Sequence, residues 1–237
     1  IADRARDTFL ATHAATVTDL HLRRNGCHDY YDNRVEEIHP SVKETPQTMA
    51  YVWGIFRKIL ESSNLSDRIY SNLGGCIAVE LSGQTGMQYG MINLSIYDVG
   101  IYQSEDELAY IVAHETAHFL LSHPLLTFSF LSEWWFRHGV REDYQVSSEF
   151  VDFKRLQEVE ADTLALFLLK NAGFNPSASI WNHRMADQPF GGLHPSAAER
   201  EAAGSDFLHN WKVETLRPLT PIPPTIKLEW VNFILKN

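Results

Sequence analysis

Apolar residues recur at helical intervals in several stretches of the chain and at strand-like intervals in one. Ile1 to Leu22 predicts a helix, with Phe9, Leu10, Ala14 and Val17 in register. Arg23 to Pro46 is polar and contains Asn25-Gly26, so it reads as loop. Thr48 to Ser62 predicts a second helix with Met49, Val52, Trp53, Phe56, Ile59 and Leu60 on one face. From Arg68 to Ile101 the pattern changes to two short β-prone runs, Cys76–Leu81 and Met91–Ile96, set among glycines. Ser104 to Pro124 then reads as one mostly apolar helix. A long, poorly periodic insert follows to about Asp152, and a strong helix spans about Phe153 to Asn171, stopped by Gly173 and Pro176. Gly191-Gly192 leads to a helix opened by Pro195. Leu216 to Pro224 holds four prolines and reads as a connector, and Thr225 to Asn237 fits strand or helix. The fold class expected is α+β: a mainly helical domain with a small, mostly antiparallel β-sheet before the Ser104–Pro124 helix.

Composition narrows what such a domain binds. The 237 residues are 44% hydrophobic, enough for an ordinary core, and carry a net charge of -10. That balance disfavours nucleic acid and anionic membrane as partners. Cys27 and Cys76, the two cysteines, provide no disulfide framework and no thiolate zinc site. The most apolar run, Pro124 to Phe136, is too short to cross a bilayer and contains Glu133. A soluble compartment, cytoplasm or periplasm, is expected; the chain begins at Ile1, which leaves an upstream signal or anchor open.

The Ser104–Pro124 helix is mostly apolar, yet it carries His114, Glu115, His118 and His123. Residues four apart lie one above the other on a helix, so the imidazoles of His114 and His118 can reach one point. That suits Zn²⁺, which takes neutral imidazole at roughly 2 Å. Glu115 lies about 100° further round. It can reach a water in the open position of such a site, where a general base belongs. On a continuous helix His123 lies about 180° from His114 and cannot share the ion; Pro124 ends that helix, and a structural role for His123 follows. The longer zinc motif, with a glycine three after the second histidine and a third histidine three beyond, is not met: Leu121 and Pro124 stand there.

A hydrolytic zinc site needs a third protein ligand. Glu158, Glu160 and Asp162 are the candidates. Glu158 and Asp162 share a helix face, and Glu160 points elsewhere. The economical assignment makes Glu158 the ligand and Asp162 the acceptor that orients one histidine through its other ring nitrogen. An acidic first turn that favours the helix dipole accounts for Glu158 and Glu160 equally well, but poorly for Asp162, which sits among apolar residues.

Four segments together resemble the M48 family of zinc metallopeptidases, in the gluzincin group. They are Ser104-Glu-Asp-Glu-Leu-Ala109, His114-Glu-Thr-Ala-His118 with His123 five on, Glu158-Val-Glu-Ala-Asp162, and His194-Pro195 with Arg200. The resemblance spans roughly Gly90 to Arg200. It implies a zincin-like domain holding one Zn²⁺ per chain on His114, His118 and Glu158, with Glu115 as base and Asp162 supporting a histidine. It places His194 near the substrate carbonyl to hold the developing oxyanion; the alternative is an N-terminal cap of the Pro195 helix. Arg200 either pairs with site carboxylates or is a surface charge. Two departures stand out. Family members often carry membrane helices here, and an Asn-Ala-Phe-like stretch where this chain reads Gly83-Gln-Thr-Gly-Met-Gln-Tyr89.

The resemblance implies a polypeptide substrate and peptide-bond hydrolysis; the alternative is a catalytically quiet or latent zinc-bearing module that binds polypeptides in a chaperone-like way. The strand just before the helix, with Gly90, Met91, Ile92 and Asn93, is expected to be a sheet edge to which an extended peptide adds. Residues 1–66 are expected to form a helical region packed on the catalytic domain, 67–215 that domain with its aromatic insert 124–152, and 216–237 the connector and tail. Packing under the domain is the first expectation for Phe128, Phe130, Trp134, Trp135 and Phe136, a substrate lid or wall the second, and a shallow membrane dip the third.

Overall fold

The computed structural model describes residues 45–65, 79–82, 86–88, 91–95, 102–139, 147–179, 193–210 and 218–236. The expected Ile1–Leu22 helix and the loop after it lie outside these residues. What is described is mainly helical. Six helices run in chain order: α1 (Pro46–Ser62), α2 (Glu105–Leu120), α3 (His123–His138), α4 (Ser148–Ala172), α5 (Ala197–Asn210) and α6 (Pro224–Lys236). No helix among the described residues is long and apolar enough to cross a membrane.

Three short strands lie between α1 and α2: β1 (Val79–Ser82), β2 (Gly86–Gln88) and β3 (Met91–Ser95). β1 runs parallel to β3, with Val79 opposite Ile92, and β2 runs antiparallel to β3, with Met87 opposite Ile92. The pairing is therefore mixed. It also corrects the expected edge. The order is β1-β3-β2, so Met91, Ile92 and Asn93 sit on the central strand with both sides taken. Gly90 lies outside the described residues. A strand adjacent in sequence to a helix need not be at a sheet's rim; here β3 inserts between two earlier strands, and Ile92 and Leu94 face the core.

The core forms where α1, α2 and α4 meet. Val52, Phe56, Ile59, Leu108, Val112, Ala113, Ala165 and Leu169 are all essentially inaccessible to solvent. Each large side chain among them contributes roughly 1.5–3 kcal/mol by leaving water. α2 packs most extensively on α4, and alanines at 109, 113, 117, 161 and 165 let their backbones approach.

The ends of α2 and α4 are chemically specified. Ser104 Oγ accepts from the Glu107 amide (3.1 Å), and the Glu107 carboxylate accepts from the Ser104 amide (2.9 Å), a reciprocal cap at the start of α2. In the same first turn, the buried Asp106 carboxylate accepts from the backbone amides of Asn175 and Thr220, each at 2.7 Å. Ser147 caps α4 through the Phe150 amide. Gly173, at φ 72°, ends α4 in the left-handed conformation that glycine adopts without a Cβ clash.

α1 begins with Pro46 and has no cap from its own flank. Its free amides are met from the far end of the chain: Glu229 of α6 accepts from the Gln47 amide (3.1 Å), the Thr48 amide (2.6 Å) and the Thr48 hydroxyl (2.7 Å). A Glu229→Ala protein should lose about 1–2 kcal/mol, in line with the loss of a helix cap. Amide exchange at Gln47 and Thr48 should rise with it; unchanged protection there would show that α1 does not depend on this carboxylate.

The region from Ser104 to Asp152 departs from its expected form. It is not one helix followed by loose chain. α2 stops at Leu120; Ser122 takes a left-handed conformation (φ 58°), and Pro124 falls in the first turn of a new helix rather than at the end of the old one. The insert is largely this second helix, α3, and α4 already starts at Ser148. Aromatic residues all round α3 hide its period. The expected packing under the domain holds for part of α3, with Trp134 buried and Phe130 against α4, and not for Phe128 and Phe136. α3 lies half-buried along the domain: Phe130 stacks on Phe153, while Phe136 is 91% exposed. The tail expected as strand or helix is the helix α6.

Candidate metal centre

α2 and α4 bring His114, His118 and Glu158 together, all buried, each offering a ligand atom within 4.8 Å of the others. The two Nε2 atoms face each other at 3.1 Å. Glu158 Oε2 lies 3.3 Å from His114 Nε2, and Glu158 Oε1 lies 3.5 Å from His118 Nε2. Oε2 is buried without a well-formed hydrogen bond. Donor atoms that converge without well-formed hydrogen bonds are costly to bury, and a divalent cation satisfies all of them together. The donor set thus fits zinc: two imidazoles and a carboxylate, leaving a fourth position.

Behind His114 lies Asp162. Its Oδ1 is 2.9 Å from His114 Nδ1, with the ring turned off the ideal hydrogen-bond line. The same carboxylate accepts from the Tyr110 hydroxyl (2.6 Å), Arg200 Nε (2.7 Å) and an Arg200 terminal nitrogen (2.6 Å). Arg200 is 6% exposed, so it is a buried partner rather than a surface charge. Tyr110 was not anticipated. The signal was available, since it stands four residues before His114 on the same helix face.

Burial opposes charge on His114, but Asp162 and Glu158 outweigh it and raise its pKa from 6.5 to about 10. Burial also opposes ionisation of Glu158, yet His114, His118 and His194 hold its carboxyl well below the usual range. The metal-free centre therefore keeps a proton on His114. That proton stabilises the metal-free fold fully below pH 6.5 and ceases to do so as pH rises through about 10. A cation seated on His114 displaces it. Zinc uptake at about pH 8 should release about one proton per ion, read by calorimetry in buffers of different ionisation enthalpy. Uptake without proton release would contradict this charge balance.

Glu115 is 7% exposed, and among the described residues its carboxylate makes no hydrogen bond or ion pair. Lys154, one turn before Glu158 on α4, acts on both carboxylates through its charge. His194 sits at the mouth, half exposed, with Nδ1 3.0 Å from Glu158 Oε2. It does not cap the following helix. Ser196 does, accepting from the Glu199 amide while Glu199 accepts from the Ser196 amide.

His123 also lies against the centre, contrary to its expected place on the far side of the helix, and Glu160 meets it from outside the donor group. Because the chain turns at Ser122, His123 comes back over His118, and their Nδ1 atoms are 2.8 Å apart. His123 Nε2 lies 3.2 Å from Glu160 Oε2. Burial and the neighbouring His118 push His123 down to about 3, so it is neutral.

A buried His-His-Glu centre with a carboxylate beside it is the arrangement of a metalloprotease of the zinc class. Residues 39–205 match the model of peptidase family M48, well over half of the chain, and the chain belongs to that family, whose peptidases are zinc-dependent. No curated protein matches it.

Proposed function

We propose that the protein is a zinc-dependent endopeptidase. The observation that carries this reading is the juxtaposition of a cation-ready donor set, His114, His118 and Glu158, with the uncommitted carboxylate of Glu115 on the next helical position. A bound zinc ion would supply the Lewis acid that polarises a peptide carbonyl and acidifies a water. Glu115 takes the proton of the attacking water and delivers it to the leaving amine. His194, at the open side, donates to the oxygen on which negative charge develops. Asp162, held by Arg200 and Tyr110, fixes the His114 ring.

We read β1–β3 as the small sheet beside the active-site helix. With β3 internal, the peptide-binding edge moves to β2, on which an extended substrate would add as a further strand. Residues 67–215 remain our assignment of the catalytic domain. The test is cleavage of a denatured protein pool with and without chelator, alongside metal analysis. Chelator-sensitive cleavage with one zinc per chain supports the reading; a zinc-loaded protein that cuts nothing refutes it. The contact of His194 with Glu158 favours a second reading, a latent centre in which His194 takes the open position. A His194→Ala protein that gains activity would select it.

A further inference from the structure

The two zinc-facing imidazoles are supported differently. His114 rests on the buried Asp162, itself fixed by two further side chains. Behind His118, among the described residues, stands a second imidazole where His114 has a carboxylate. His123 is 2% exposed, and its ring stands nearly perpendicular to that of His118, at 72° with centroids 4.9 Å apart. Its backbone carbonyl accepts from Gln157 Nε2 at 3.2 Å. Gln157 Oε1 in turn accepts from Thr127 of α3 and Lys154 of α4, at 3.1 and 3.0 Å. The ring is thus held from its main chain as well as by its neighbours.

The proton positions follow from the ends of this row. Glu160 is an acceptor, so His123 carries its proton on Nε2, facing Glu160. A neutral imidazole has one bare nitrogen, and in His123 that is Nδ1. It accepts the proton on His118 Nδ1, which leaves His118 Nε2 bare and aimed at the metal position. We propose that His123 and Glu160 are the positioning pair of His118, orienting its ring and fixing the tautomer in which Nε2 binds the ion, as Asp162 does for His114. This rests on the proposed zinc centre and extends it to two residues outside the ligand set.

The measurement is zinc affinity of the purified chain by competition with a chromogenic chelator, supported by the visible spectrum of the cobalt-loaded protein. His123→Leu fills the space without an acceptor and should weaken zinc binding roughly 10–100-fold. His123→Gln offers a carbonyl to His118 and an amide to Glu160, and should restore most of that loss. Glu160 is about half exposed, so Glu160→Ala leaves the packing intact and should lower affinity in the same direction but less. In ¹⁵N spectra of the zinc-loaded wild type, His123 should be neutral with its proton on Nε2. Wild-type affinity in a folded His123→Leu protein, or a proton on His123 Nδ1, overturns the inference while the zinc centre stands. A wild-type chain that takes up no zinc removes the centre and this inference together.

Discussion

A Glu115→Gln protein should bind zinc as the wild type does and hydrolyse peptides roughly 10²–10⁴-fold more slowly, the range that a positioned general base contributes. Zinc content separates the two roles on α2. Glu115 is next to His114 in sequence but makes no hydrogen bond or ion pair among the described residues, so removing its charge should leave the ligand geometry untouched. The amide of glutamine keeps the shape and cannot take a proton from water. The loss should therefore fall in kcat rather than KM. Wild-type turnover would remove Glu115 from the mechanism, and lost zinc would make it part of the metal centre.

The largest effect on stability is expected at Asp162. It is 5% exposed and Arg200 6%, and the guanidinium meets the carboxylate through two hydrogen bonds. Asp162→Ala strands the arginine's charge inside the protein, which costs roughly 3–5 kcal/mol. The Tyr110 hydroxyl and His114 Nδ1 lose their acceptor as well. An Asp162→Ala/Arg200→Met double variant tests the division of labour. Removing both charges should recover much of the melting temperature of the metal-free protein, because an apolar replacement of a buried pair is often close to neutral. Zinc affinity should stay low, since His114 still has no carboxylate behind it. Recovery of both would make the pair structural only.

The grouping of the candidate donors was legible because helix periodicity puts each pair on one face, and the resemblance singled out Glu158 from its acidic neighbours. His114 and His118 are one turn apart, and Glu158 and Asp162 are one turn apart on a second apolar helix. What failed was the assumption that α2 continues. A single left-handed residue, Ser122, resets the phase between His118 and His123, and no side-chain pattern announces it. The same break turned the aromatic insert into a helix of its own, and it brought His123 over to Glu160. The sheet was misread for a related reason. Strand order depends on which runs pair across space, and β-prone composition says only that they can. Arg200 had two readings in sequence, and burial beside Asp162 decided between them.

Asp106 ties α2 to amides of residues 175 and 220, and Glu105 adds a bond from its own amide to the Thr220 carbonyl. Those partners lie far downstream of His114 and His118. Both histidines are therefore synthesised before the residues whose amides anchor the start of their helix. A metal seated on these histidines would therefore depend, for the rigidity of its helix, on main-chain amides that are made well after the donors themselves.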